Sequence, residues 1–305
     1  KTFKTALLEG SLTQNDHFWG FFHRTPKIFN LLGLSLVVSL LIAPTIGAFI
    51  LTWISWRYIF VCLIAYASII YGFAYICLPN TNVVNQKKLK FGSIFEAYPK
   101  LLKNRKFLTY ILCSALSFSG FIIYLQLSPF IFQSQFQFNA VQYGATSMVI
   151  ALAYLTGSII THFGSKNNSS GLNMFFITLI MIIVGTVIIT LSEFNHYNIC
   201  FFMTPIYIYI TCMRIIFTFS GAKALEKTVP HTGSAASILT MSNAGVSVVA
   251  SYLIHLIKYN EVVILGSYFI ITSLSILMLF SLLIKNSASN HTSQSRKKRF
   301  RLKMD

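Results

Sequence analysis

Chemistry needs groups that ionise, attack or ligate, and this sequence keeps few of them where most of its length lies. Of 305 residues only 7 are Asp or Glu. None of these falls inside the long apolar stretches that dominate the chain. Arg214 is the only charge clearly within such a stretch. A buried ionisable group is the default carrier of an ion or proton relay in an apolar medium. Arg214 stands toward one end of its stretch, however, and its long stem predicts snorkelling to the nearby interface. Cys62, Cys77, Cys113, Cys200 and Cys212 have no close partner in sequence and read as packing residues. His255, near the end of another stretch, reads as an interfacial imidazole rather than a ligand. No metal-ligand spacing, phosphate loop, serine elbow or paired carboxylate occurs. No catalytic residue, metal or cofactor is therefore expected, and the chain is not read as an enzyme. What remains is non-covalent recognition by polar side chains set in apolar walls.

The elements that would position such side chains are written in the hydropathy. The chain is 55% hydrophobic and 10% charged, with a mean hydropathy of +0.66, outside the balance of a soluble domain. A helix crosses a ~30 Å hydrocarbon core in roughly 20 residues. Eight stretches meet that length: 31–53, 58–78, 107–132, 141–163, 172–191, 199–219, 234–257 and 262–284. The runs are continuous rather than alternating, which selects helices over a barrel, since each segment must satisfy its own backbone in lipid. The expected fold class is an all-α polytopic membrane protein.

A net charge of +17 would suggest a nucleic-acid partner in a soluble protein, but its distribution says otherwise. Lys1, Lys4, Arg24 and Lys27 precede the first stretch, and seven basic residues lie between 87 and 106. Lys166, then Lys223 and Lys227, then the basic cluster at 296–303 continue the pattern on alternate loops. The intervening loops hold little beyond Arg57 and Lys258. Taking the basic side as cytoplasmic places both termini inside. The tail cluster then fits orientation or contact with anionic lipid better than nucleic acid. These features divide the chain into a cytoplasmic head 1–30, a helix pair 31–78, a cytoplasmic linker 79–106, a six-helix bundle 107–284 and a basic tail 285–305. Within the linker, Phe91, Ile94, Phe95, Tyr98, Leu101 and Leu102 share one helical face opposite lysines. This predicts an amphipathic segment on the membrane surface. Ser93 with Glu96 fits a capping box, and Pro99 predicts the start of a second short helix.

Pro44 and Gly47 interrupt the first stretch, in IAPTIGA. Lipid-embedded helices tolerate such breaks because neighbouring helices and local adjustments satisfy the freed backbone. Ala43, Gly47 and Ala48 present little side chain and permit a close helix neighbour.

IAPTIGA resembles the fifth-helix antiporter signature of the major facilitator superfamily, with Ala48 where a second glycine is usual. SWRYIF resembles the Trp-Arg-x-x-Phe that opens the sixth helix. The segment YPKLLKNRKFLTYILCSALSFSGFIIYLQLSPFIFQ, including Ser128-Pro129-Phe130, is similar to the linker and seventh helix of the bicyclomycin-resistance (Bcr/CflA) type of drug/proton antiporter. PHTGSAASIL is similar to the entry into that family's eleventh helix. The matches run in order across 31–284.

The resemblance implies that the eight stretches are helices five to twelve of twelve, so that four helices belong to a missing or separately encoded N-terminal half. It implies a bacterial inner-membrane protein that exports a small hydrophobic molecule by alternating access as protons enter. The family's proton-coupling positions fall in the absent helices, so this chain alone is not expected to couple efflux to protons. Helices seven and ten would line the cavity, giving Tyr124, Gln126, Ser128, Tyr207 and Tyr209 as candidates, with Asn243 on the eleventh. Each can also serve an interhelical hydrogen bond. Ala43, Pro44 and Gly47, with Gly233 and Gly245 across the bundle interface, would belong to helices that slide during closure. The alternative is a non-transporting membrane sensor or assembly protein, which would need a structured domain outside the bilayer. The head and tail look too short for one.

Overall fold

The computed structural model describes residues 46–47, 50–51, 55–77, 98–164, 170–193, 198–226, 232–257 and 259–301. Among them are seven helices: α1 Arg57–Cys77, α2 Arg105–Ser134, α3 Ala140–Gly164, α4 Ser170–Ser192, α5 Ile199–Glu226, α6 Thr232–His255 and α7 Glu261–Arg301. All seven contain a segment long and apolar enough to cross a membrane, and no strand occurs among the described residues. The first expected span lies outside the described residues apart from Ile46, Gly47, Ile50 and Leu51, and so do Ala43, Pro44 and the proposed Ser93–Glu96 box.

Helix bounds follow the apolar runs to within a few residues, with two exceptions. α5 runs on to Glu226, because the segment after Phe219 contains the helix formers Ala222, Lys223, Ala224 and Leu225 and closes with a Lys223–Glu226 ion pair at 2.8 Å. α7 continues without a break to Arg301, well past the apolar part that ends near Leu283. Four of the starts are set by asparagines. Asn104 Oδ1 accepts from the amides of Lys106 and Phe107, Asn198 Oδ1 from Cys200 and Asn260 Oδ1 from Val262. Asn139 and Gln142 form a reciprocal capping box, each side chain accepting the other's amide at 2.8 and 3.0 Å.

Six helices, α2 to α7, pack into one bundle. α2 and α5 form its centre; α3 lies against α5, α6 against α2, and α4 and α7 pair with each other behind them. The α4–α7 pair is close because Gly185 and Gly266 face each other. A Cβ on Gly185 would stand 3.2 Å from the Gly266 carbonyl, and one on Gly266 3.1 Å from the Gly185 carbonyl. Small residues drive such contacts where lipid gives no hydrophobic preference between helices. Aromatic stacking fills the interior, with Tyr209 and Phe269 rings parallel to 4° at 3.5 Å between centroids.

A second, smaller core sits at the end of the bundle where α2 and α6 begin and α5 ends. Leu101 and Phe107 bury against Leu225, Ala235, Ile238 and Leu239, and the Tyr98 hydroxyl meets Ser237 Oγ at 3.1 Å. Residues 98–102 are helical, and the residues before them lie outside the described ones. α1 stands in contrast, for none of its described side chains is buried.

Candidate functional site

The N-terminal halves of α3 and α5 border an open cleft of about 630 Å³. Phe138, Gln142, Ala145, Thr146 and Val149 line it from the α3 side, and Ile199, Cys200, Met203, Thr204 and Tyr207 from α5. Each set recurs at three and four residues, so each is one helix face. The walls are apolar, with no charged side chain and a few hydroxyl and amide groups to orient a ligand, the usual make-up of a small-molecule site. Gln142 is committed to the capping box, which fixes the amide end of that wall. Pro205 within α5 cannot donate to the carbonyl four residues earlier, so the helix is weakened beside the cleft.

The floor of the cleft is a hydrogen-bonded crossing of the two helices. The Tyr207 hydroxyl donates to Thr156 Oγ1 at 3.3 Å, and Thr156 and Thr211 hydroxyls are 3.2 Å apart. Thr211 Oγ1 also reaches across to the Ala153 carbonyl at 3.1 Å. This approach requires a glycine at 157: a Cβ there would lie 2.7 Å from the Thr211 carbonyl and 2.8 Å from Arg214 Cβ.

Beneath the crossing lies Arg214, and its position corrects the expectation of snorkelling. Its side chain is 1% exposed. Nε donates to Ser158 Oγ at 2.9 Å, while Ser158 donates to the Tyr154 carbonyl at 3.0 Å. The guanidinium carbon stands 4.5 Å from the Tyr154 ring centroid and 5.7 Å from that of Phe217, within cation–π range. Nη2 has no hydrogen-bond partner among the described residues. Snorkelling fails for a geometric reason: α3 closes over the side chain at Gly157, where an added Cβ would lie 2.8 Å from Arg214 Cβ.

The six candidate cavity residues fall in different settings. Tyr207 lines the cleft. Tyr209 is fully buried, its hydroxyl 3.2 Å from Thr272 Oγ1. Tyr124 and Ser128 are buried in the C-terminal half of α2. There Ser128 donates to the Leu125 carbonyl that Pro129 leaves without its usual donor, at 3.4 Å, and meets Tyr143 at 3.0 Å. Gln126 is half-buried on the same helix and makes no hydrogen bond among the described residues. Asn243 is half-buried on α6 and accepts from Ser114 at 3.3 Å. Gly47, Gly233 and Gly245 each have open space, among the described residues, where a Cβ would go. Around Gly245, Met241, Val248 and Tyr252 expose an apolar face at helical spacing.

Sequence reasoning passed over Thr204, Gly157, Ser158 and Tyr154. The signal for them was present: Thr204, Tyr207, Thr211, Arg214 and Thr218 repeat at three and four residues, a polar stripe along an otherwise apolar helix.

Comparison with known proteins agrees with this architecture. The chain is 26% identical over 134 residues to the chloramphenicol resistance protein CraA of Acinetobacter baumannii, a stretch covering 44% of this chain and 32% of that protein. It is 25% identical over 224 residues to the uncharacterized MFS-type transporter YdgK of Bacillus subtilis, covering 70% of this chain and 54% of that protein. The chain thus spans about a third and about half the length of these curated relatives. The family model described as Major Facilitator Superfamily matches residues 22–251. With its multi-pass helical fold and no strand among the described residues, this chain belongs to the Major Facilitator Superfamily of transporters.

Proposed function

We propose that the chain is part of a drug exporter of the Bcr/CflA type in a bacterial inner membrane, with both termini cytoplasmic. Its bundle moves a small hydrophobic molecule outward by alternating access, and proton influx drives the cycle. One observation carries this reading: the apolar cleft of about 630 Å³ between α3 and α5, with Tyr207 on its wall. A cavity of that size suits a drug-sized molecule, and the chloramphenicol resistance relative points to an efflux substrate of that kind.

Tyr207, Gln126 and Asn243 are the polar anchors on the transport path, being half-buried and able to turn toward a ligand. Tyr124, Ser128 and Tyr209 hold the helices that carry those anchors. The open face of α6 around Gly245, together with Gly233 and Gly47, meets the N-terminal half of the transporter. Ala43 and Pro44 belong to that same sliding contact. Proton coupling rests on residues outside this chain, because its described spans carry no Asp or Glu at membrane depth.

Radiolabelled chloramphenicol binding to the purified chain tests the cleft. Saturable binding that Tyr207→Ala weakens about tenfold is expected, and binding indifferent to that change refutes the assignment. Chloramphenicol efflux from cells carrying this chain alone tests the coupling. Robust pH-dependent efflux would refute the placement of the proton site elsewhere.

A further inference from the structure

We infer that Arg214 gives the α3–α5 cleft a charge preference, admitting neutral and anionic hydrophobic molecules and disfavouring cations by roughly tenfold per unit charge. This rests on the reading of the cleft as the substrate site. The guanidinium is buried and permanently charged, and no carboxylate among the described residues pairs with it. The described acids stand at helix ends: Glu193 just past α4, Glu261 opening α7, and Glu226 closing α5 in its pair with Lys223. Its compensation is limited to the Ser158 hydroxyl and the ring faces of Tyr154 and Phe217, and Nη2 is left without a partner among the described residues.

The cleft lies within reach of that field. Tyr207 is two helical turns from Arg214 on the same helix, about 10 Å along its axis. Two unit charges at that separation in a medium of effective dielectric near 20 change a binding constant by roughly tenfold. The backbone adds to the same sign. Both helices that wall the cleft begin at its outer end, α3 at Ala140 and α5 at Ile199, so both macrodipoles present their positive ends to it. Arg214 and the two helix starts therefore flank the cleft with positive potential from opposite directions. No side chain lining it carries a charge that could cancel this.

Tetraphenylborate and tetraphenylphosphonium, matched in shape and opposite in charge, are the probes. Their binding to the purified full 305-residue chain in dodecyl maltoside is measured by equilibrium dialysis and corrected for partition into empty micelles. The anion is expected to bind on the order of a hundredfold more tightly than the cation, the two tenfold effects acting in opposite directions. Arg214→Gln, which retains a donor for Ser158, is expected to cut the ratio at least tenfold, to the smaller anion preference that the two helix starts leave, and Arg214→Lys to preserve it. Thr204→Trp, which fills the cleft, is expected to abolish binding of both. A wild-type protein that binds the two ions equally overturns the inference without recourse to any variant. An unchanged ratio in Arg214→Gln, with Thr204→Trp still blocking both probes, overturns the role of Arg214 and leaves the cleft as the site. Undiminished binding of both probes to Thr204→Trp overturns the site itself and this inference with it.

Discussion

Substituting Gly157 by valine tests the crossing that closes the cleft. The first carbon added would sit 2.7 Å from the Thr211 carbonyl oxygen and 2.8 Å from Arg214 Cβ, against a contact optimum of about 3.5–4.0 Å between carbons. The first obstacle is backbone, so no rotamer change relieves it, and α3 and α5 must part by about 1 Å. Overpacking of this kind costs about 1–3 kcal/mol, a factor of about 5 to 150 in the folding equilibrium. Separation also lengthens the 2.9 Å bond from Arg214 to Ser158. Stripping a buried charge of a partner adds a loss of similar size or larger. Thermal unfolding in detergent, followed with a thiol-reactive dye, reads the outcome. Cys113 and Cys212 are buried and free, and become reactive only when the bundle opens, whereas Cys62 and Cys200 are exposed from the start. Gly157→Val is expected to unfold several degrees below wild type. Gly233→Ala, with open space around it, is expected to match wild type. Equal midpoints for Gly157→Val and wild type would refute the close crossing.

Other expectations follow from the same geometry. Tyr209→Phe loses the hydroxyl contact to Thr272 and is expected to cost about 1 kcal/mol. Phe269→Ala removes the stacked partner and should cost about 3–5 kcal/mol; the same thiol assay ranks the two, and a reversed order contradicts the packing. Gly47→Leu meets no atom among the described residues, so in a full-length transporter membrane levels should stay normal while transport is lost; normal transport at normal levels counts against a sliding contact there. Lys103→Cys should react with a membrane-impermeant maleimide only from the cytoplasmic side, and labelling from outside intact cells would invert the topology.

The helices were legible because span-forming hydropathy is a local sum over roughly 20 residues. Six of the seven described helices start within two residues of the expected positions, and the seventh starts at the expected residue, Ile199. The asparagines that fix four of those starts were also readable, each lying immediately before its helix. Overshoot occurred at chain ends such as α7, where helical order continues after apolarity stops and hydropathy has nothing to report. Within the candidate site, Tyr207 was legible through the resemblance to a transporter family. Thr204, Gly157 and Ser158 were not, although the polar stripe on α5 announced that one face of that helix had a partner.

The sequence by itself settled the solvent: a chain this apolar, with so few acids, satisfies its backbone in lipid only as helices. Tertiary structure alone decided which residues face one another. Arg214 and Ser158 are 56 residues apart in sequence. Whether the arginine escapes to the interface or is trapped depends on α3 crossing α5 at Gly157, a relation no window along one helix contains. The close-packed glycines of this bundle are likewise 120, 157, 185 and 266 rather than 47, 233 and 245. A glycine's lack of a side chain has consequences only where a second helix comes to occupy the space.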